Sequence, residues 1–78
     1  MERPGSAKRP VLLTAREQQV LELIWAGFKN KEIGRQLKIS VKTVEVHRSS
    51  MMKKMRAHNT AELLRRALAN AMINVRVA

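Results

Sequence analysis

An all-α fold, a compact four-helix domain containing a helix-turn-helix, is what this sequence predicts, on three observations. Apolar residues recur every three or four positions in four separate stretches, and no alternating run is long enough for a sheet. Residues suited to helix starts, Thr14, Asn30, Ser40 and Asn59, stand just ahead of those stretches. The length of 78 residues admits one small domain, near the lower limit of what a hydrophobic core alone can hold together.

Residues 1–11 read as a linker, because both prolines and one of the three glycines fall in the first ten positions without any apolar period. The domain proper is expected over 12–72. Its first helix opens on Thr14-Ala15-Arg16-Glu17, a capping box in which the Thr hydroxyl and the Glu carboxylate each serve the other's backbone N–H. Val20, Leu21 and Ile24 form its buried face, Trp25 sits at the domain edge, and Gly27 is placed to turn left and end it. A short second helix is expected from a cap at Asn30 through Leu37, burying Ile33 and Leu37. Lys38-Ile39 turns the chain, with Ile39 plugging the core, and Ser40 caps a longer helix over about 41–55. A last helix starts at Asn59, with Glu62 three residues on, and runs through Leu63, Leu64, Ala67 and Leu68 toward Ala71. The tail is 73–78, of which 74–78 is expected to fray.

Charge narrows the partner. Sixteen Lys and Arg against six acids give a net charge of +10, and a pI near 11.5 calls for a polyanion. All six acids are Glu, so no Asp-based phosphoacceptor or Ca²⁺ loop is present, and with no Cys there is no disulfide, thiol nucleophile or zinc finger. No metal or cofactor is expected. No Ser/His/Asp set, paired carboxylates or Gly-rich phosphate loop supports an enzyme. His47, on the flank of a buried stripe with His58 its sole counterpart, reads as a boundary residue without chemistry. The apolar runs are far shorter than the roughly 20 residues that span a bilayer, so no membrane is called for, and a reducing cytoplasm suits a chain without Cys.

The face analysis of 41–55 decides the function. At about 100° per residue, Val44, Met51 and Met55 fall together and face the core, with His47 and Met52 beside them. The opposite face carries Lys42, Glu45, Val46, Ser49 and Lys53. Val46, mid-face on a polar and basic surface, suits a thymine methyl in the major groove, and Glu45 is chemically able either to accept from a cytosine amino group or to repel phosphates and so select against misdocking. Residues 29–56 hold nine Lys or Arg against two Glu. Lys31 and Thr43, near the starts of the two central helices, suit phosphate beside exposed backbone N–H groups, and Lys53, Lys54 and Arg56 extend the basic track.

Leu13-Thr14-Ala15-Arg16-Glu17, Val20-Leu21, Ala26-Gly27, Asn30-Lys31-Glu32-Ile33, Leu37-Lys38-Ile39-Ser40, Thr43-Val44-Glu45-Val46-His47 and Lys54-Met55 together resemble the LuxR-type helix-turn-helix domain, the effector domain of NarL/FixJ response regulators. The resemblance covers about 12–72. It implies a third helix that reads promoter half-sites in double-stranded DNA, with base-reading positions at Glu45, Val46 and Ser49 and backbone positions at Asn30, Lys31, Lys42 and Thr43. It also implies a last helix that supplies a homodimer contact and a phosphorylatable N-terminal receiver domain as partner. By their spacing Leu63, Leu64, Ala67 and Leu68 read mainly as core, and Leu64 and Leu68 become the dimer contact if they are exposed. A bacterial cytoplasmic regulator on the nucleoid is the corresponding expectation. Trp25 and Lys29, on the first helix side, are candidate contacts for RNA polymerase. Gly34 departs from the family's usual Ala, suggesting close packing or a softer helix, while Ser50 replaces the Asn common in FixJ relatives and Glu45 the Lys of other branches. The alternative reading is a nonspecific binder of nucleic acid or anionic surfaces, which accounts for the charge alone.

Overall fold

The computed structural model describes residues 11–73 and comprises α1 (Ala15–Trp25), α2 (Asn30–Leu37), α3 (Val41–Met55) and α4 (Thr60–Ala69). Residues 1–10 of the expected 1–11 linker and 74–78 of the expected 73–78 tail lie outside the described residues, and Ile73, placed in the tail, is instead buried in the core. α1 begins as its sequence dictates, with Thr14 Oγ1 accepting from Glu17 N–H at 3.0 Å and the Glu17 carboxylate from Thr14 N–H at 2.9 Å. Ser40 Oγ accepts from Thr43 N–H at 3.0 Å, and Asn59 Oδ1 from Glu62 N–H at 2.8 Å.

α2 corrects the expected cap. Lys29 holds the extended cap conformation, and Asn30 is already the first helical residue. The Glu32 carboxylate accepts from Lys29 N–H at 2.7 Å, so the carboxylate half of a capping box closes this end without a capping side chain. Asn30 is freed for a tertiary contact described below. Ile33 is fully buried, whereas Leu37 and Ile39 are only half-buried and pack against the core from its edge.

All four helices stop in the same way. The residues that turn left are Gly27, Lys38, Arg56 and Ala71, with φ of 99°, 59°, 54° and 58°. At each, two backbone bonds return to the last turn: Gly27 to Ile24 and Phe28 to Leu23, Lys38 to Arg35 and Ile39 to Gly34, Arg56 to Lys53 and Ala57 to Met52, Ala71 to Leu68 and Met72 to Ala67. This is the Schellman pattern, and Phe28, Ile39, Ala57 and Met72 supply its apolar plug against the core. Ala71 therefore ends α4, which stops short of the expected length.

The core is one cluster of Val20, Leu21, Ile24, Ile33, Val44, Met51, Met55, Ala57, Leu63, Ala67 and Ile73. α3 runs through its centre and packs against each of the other three helices. Close packing is the answer at Gly34: a Cβ there would stand 2.7 Å from the Ile39 carbonyl oxygen. The α2–α3 turn folds back tightly enough that only hydrogen fits without a shift.

Candidate nucleic-acid interface

α3 presents two unlike faces. Val44, Met51 and Met55 are buried as the helical period requires, and His47 and Met52 lie at the boundary. On the outer side Lys42, Glu45, Val46, Ser49 and Lys53 are exposed, and Val46 keeps 59% of its surface open. The structure thus brings the three expected base-reading residues onto one open surface, flanked by two of the expected backbone cations. Thr43 is half-buried and its hydroxyl is paired with Ser40 Oγ at 2.9 Å. Lys31 is exposed in the first turn of α2, whose early N–H groups have no partner within the helix.

Two interactions that the sequence did not announce fix α3 in place. Arg48 donates from Nη1 to Asn30 Oδ1 at 2.9 Å and from Nη2 to Thr60 Oγ1 at 2.5 Å. One guanidinium therefore ties the starts of α2 and α4 to the middle of α3, and Asn30 has a structural task besides any contact with phosphate. A signal was available: Arg48 follows buried Val44 by one turn, so its side chain had to leave along the rim of the core.

The second is an ion pair. Lys54 Nζ lies 2.7 Å from Glu17 Oε1, which removes Lys54 from the basic track expected to follow a DNA backbone. Glu17 is only 3% exposed. Burial raises its pKa, but hydrogen bonds from Lys54, Ser50 and the Thr14 N–H outweigh that and hold it near 2. The same carboxylate closes the capping box and fastens α1 to α3. At the start of α4, Glu62 accepts from His58 N–H at 2.7 Å and from Arg66 at 3.3 Å, and these bonds lower its pKa, that from the His58 backbone first.

Of the expected dimer pair, Leu64 is half-buried against the core, while Leu68 is 38% exposed on α4 and departs from the core role its spacing suggested. Trp25 and Phe28 pack against the core edge and Lys29 is exposed. Among the described residues no group of acidic or His side chains is arranged to hold a metal ion, and no helix is long and apolar enough to cross a membrane.

Comparison with known proteins gives this surface its context. The family model described as bacterial regulatory proteins, luxR family, matches residues 11–67. The transcriptional regulatory protein FixJ of Bradyrhizobium diazoefficiens is 44% identical over 68 residues, 87% of this chain and 33% of that protein. A solved LuxR-type receptor, VqmA of Vibrio cholerae, superposes with a TM-score of 0.77 at 37% identity, over 80% of this chain and 28% of that one. The transcription factor GerE superposes with a TM-score of 0.76 at 30% identity, over 85% of this chain and 97% of its own. This chain thus spans about a third of the FixJ protein it matches, and nearly the whole of GerE.

Proposed function

Because this chain belongs to the LuxR family of bacterial regulatory proteins, we propose that it is a sequence-reading DNA-binding effector domain that regulates transcription, with α3 seated in the major groove. The observation that carries this reading is Val46, a large apolar side chain 59% exposed at the middle of an otherwise polar and basic face. Solvation gives no reason for it, and a thymine methyl does. Glu45 and Ser49 complete the base-reading set. Asn30, Lys31, Lys42, Thr43 and Lys53 supply phosphate contacts that set register without reading sequence.

Two copies bind neighbouring half-sites about one helical turn apart, since one module of this size buries too little surface for high specificity. Exposed Leu68, with Leu64 beside it on α4, forms the contact between copies. The fragmentary match to FixJ supports the further reading that the domain works as the effector portion of a longer cytoplasmic response regulator, partnered by a receiver domain; RNA polymerase is the partner that a transcription regulator of this kind would meet at a promoter. The net charge of +10 by itself favours a second reading, nonspecific polyanion binding.

Selection from a random duplex library at near-physiological salt, with sequencing of the bound pool, separates the two. Enrichment of a paired motif, bound at least about 10³-fold more tightly than scrambled duplex, supports the regulator. An unenriched pool that binds only at low salt sinks it.

A further inference from the structure

Every helix of this domain ends on a left-turning residue, and glycine is the residue that does this without strain, because a Cβ in that conformation crowds the backbone. The four positions are filled by Gly27, Lys38, Arg56 and Ala71. α1 and α4 end on small uncharged residues, but the two stops that bracket α3 carry long exposed cations in the strained conformation. Among the described residues the two side chains make no bond that repays that strain. Neither Lys38 nor Arg56 donates a side-chain hydrogen bond or forms an ion pair to another described residue.

Attraction between a cation and the negative end of a helix is one internal explanation, and the arrangement argues against it. Such an attraction does not require the charge on the strained residue itself: α4 keeps its cation, Arg66, within its last turn and stops on uncharged Ala71, and α2 and α3 already carry Arg35, Lys53 and Lys54 in theirs. At Lys38 the gain at the end of α2 is also opposed two residues later by the positive start of α3, at Ser40-Val41. The function of these cations is therefore directed outward. α3 has 15 residues and is about 22 Å long, against a major groove about 12 Å wide. A rod of that length laid across the groove brings its two ends up to the phosphate rims.

Resting on the proposed DNA-binding reading, we infer that Lys38 and Arg56 are phosphate anchors at the two ends of α3, retained at the expense of backbone strain. The inference makes an unusual demand: removing each side chain must improve the fold and impair binding at once. Lys38→Gly and Arg56→Gly each raise the thermal midpoint, by roughly 2–6 °C. Each also flattens the plot of log affinity against log salt by about 0.9, measured on a short mixed-sequence duplex between about 50 and 200 mM salt, and weakens binding about eightfold near 0.1 M. Ala71→Gly relieves the same strain without loss of charge and leaves the salt plot unchanged, while Lys38→Arg keeps the wild-type plot.

A glycine variant that is more stable yet retains the wild-type salt dependence removes its residue from the inference, and both doing so overturn it. A rise in stability equal to that of Ala71→Gly, joined to a flatter plot, supports it. Failure of the wild-type domain to bind duplex at all is a different result, because it overturns the DNA-binding reading and the inference with it.

Discussion

The inner and outer faces of α3 share one backbone and answer to different constraints. Inside, Val44, Met51 and Met55 share one buried cluster with Val20, Leu21, Ile33 and Leu63, where a change of volume is costly. Outside, Lys42, Glu45, Val46, Ser49 and Lys53 touch little of the protein itself, so the fold leaves their identity open. Between them runs a rim where Arg48 and Lys54 fix the helix to its neighbours. One helix can thus keep its position while its outer residues vary, and a family built on this scaffold can change what it reads without changing how it folds.

The largest effects follow from attacking the inner face. Met51 is completely buried at the middle of α3, and Met51→Ala costs about 2–5 kcal/mol, read as a lower midpoint in urea unfolding. In a domain this small that is a large share of the total stability. The rim gives the next effect. Glu17 has a pKa near 2 in the fold against an ordinary 4.5, so its stabilisation is complete above about pH 5 and disappears as the pH falls toward 2. The shift at full weight corresponds to about 3 kcal/mol, and because Lys54 keeps 36% of its side chain in solvent the expected value is about 2 kcal/mol. Stability measured from pH 7 to pH 2 falls along that limb. Glu17→Gln loses the same amount at pH 7 and shows a flatter acid limb, whereas an unchanged limb would assign the acid sensitivity to another carboxylate.

Elements whose cause is local were legible from the chain. The capping box at Thr14, the caps at Ser40 and Asn59, the glycine stop at Gly27 and the buried period of α3 each depend on residues within one or two turns of one another. The stops of α2 and α3 were placed correctly at Leu37 and Met55 although Lys38 and Arg56 lack the glycine that advertises a left turn, whereas at α4 Ala71, a strong helix former, pointed the other way. The Lys29 start was masked by a better capping residue one position later. Arg48 to Thr60 and Lys54 to Glu17 join residues far apart in sequence, and spacing shows only that such side chains lie on a boundary. Exposure at Val46 was readable for the same reason that the core was: both belong to a single helical period.

The smaller effects belong to the outer face, and they sharpen the contrast because each leaves the fold alone. Val46→Ala changes the preference at one base position of the selected site by about 1–3 kcal/mol, while the unfolding midpoint stays within about 0.5 kcal/mol of wild type, as an exposed site requires. If the base preference is unchanged, Val46 does not face the groove. Lys31→Ala is expected to act differently although it is equally exposed. It weakens matched and scrambled duplexes alike and takes about 0.9 from the salt slope, because a phosphate contact carries no sequence information. A change confined to the matched duplex would place Lys31 among the base-reading residues, and the division of labour between the start of α2 and the open face of α3 would fail at that point.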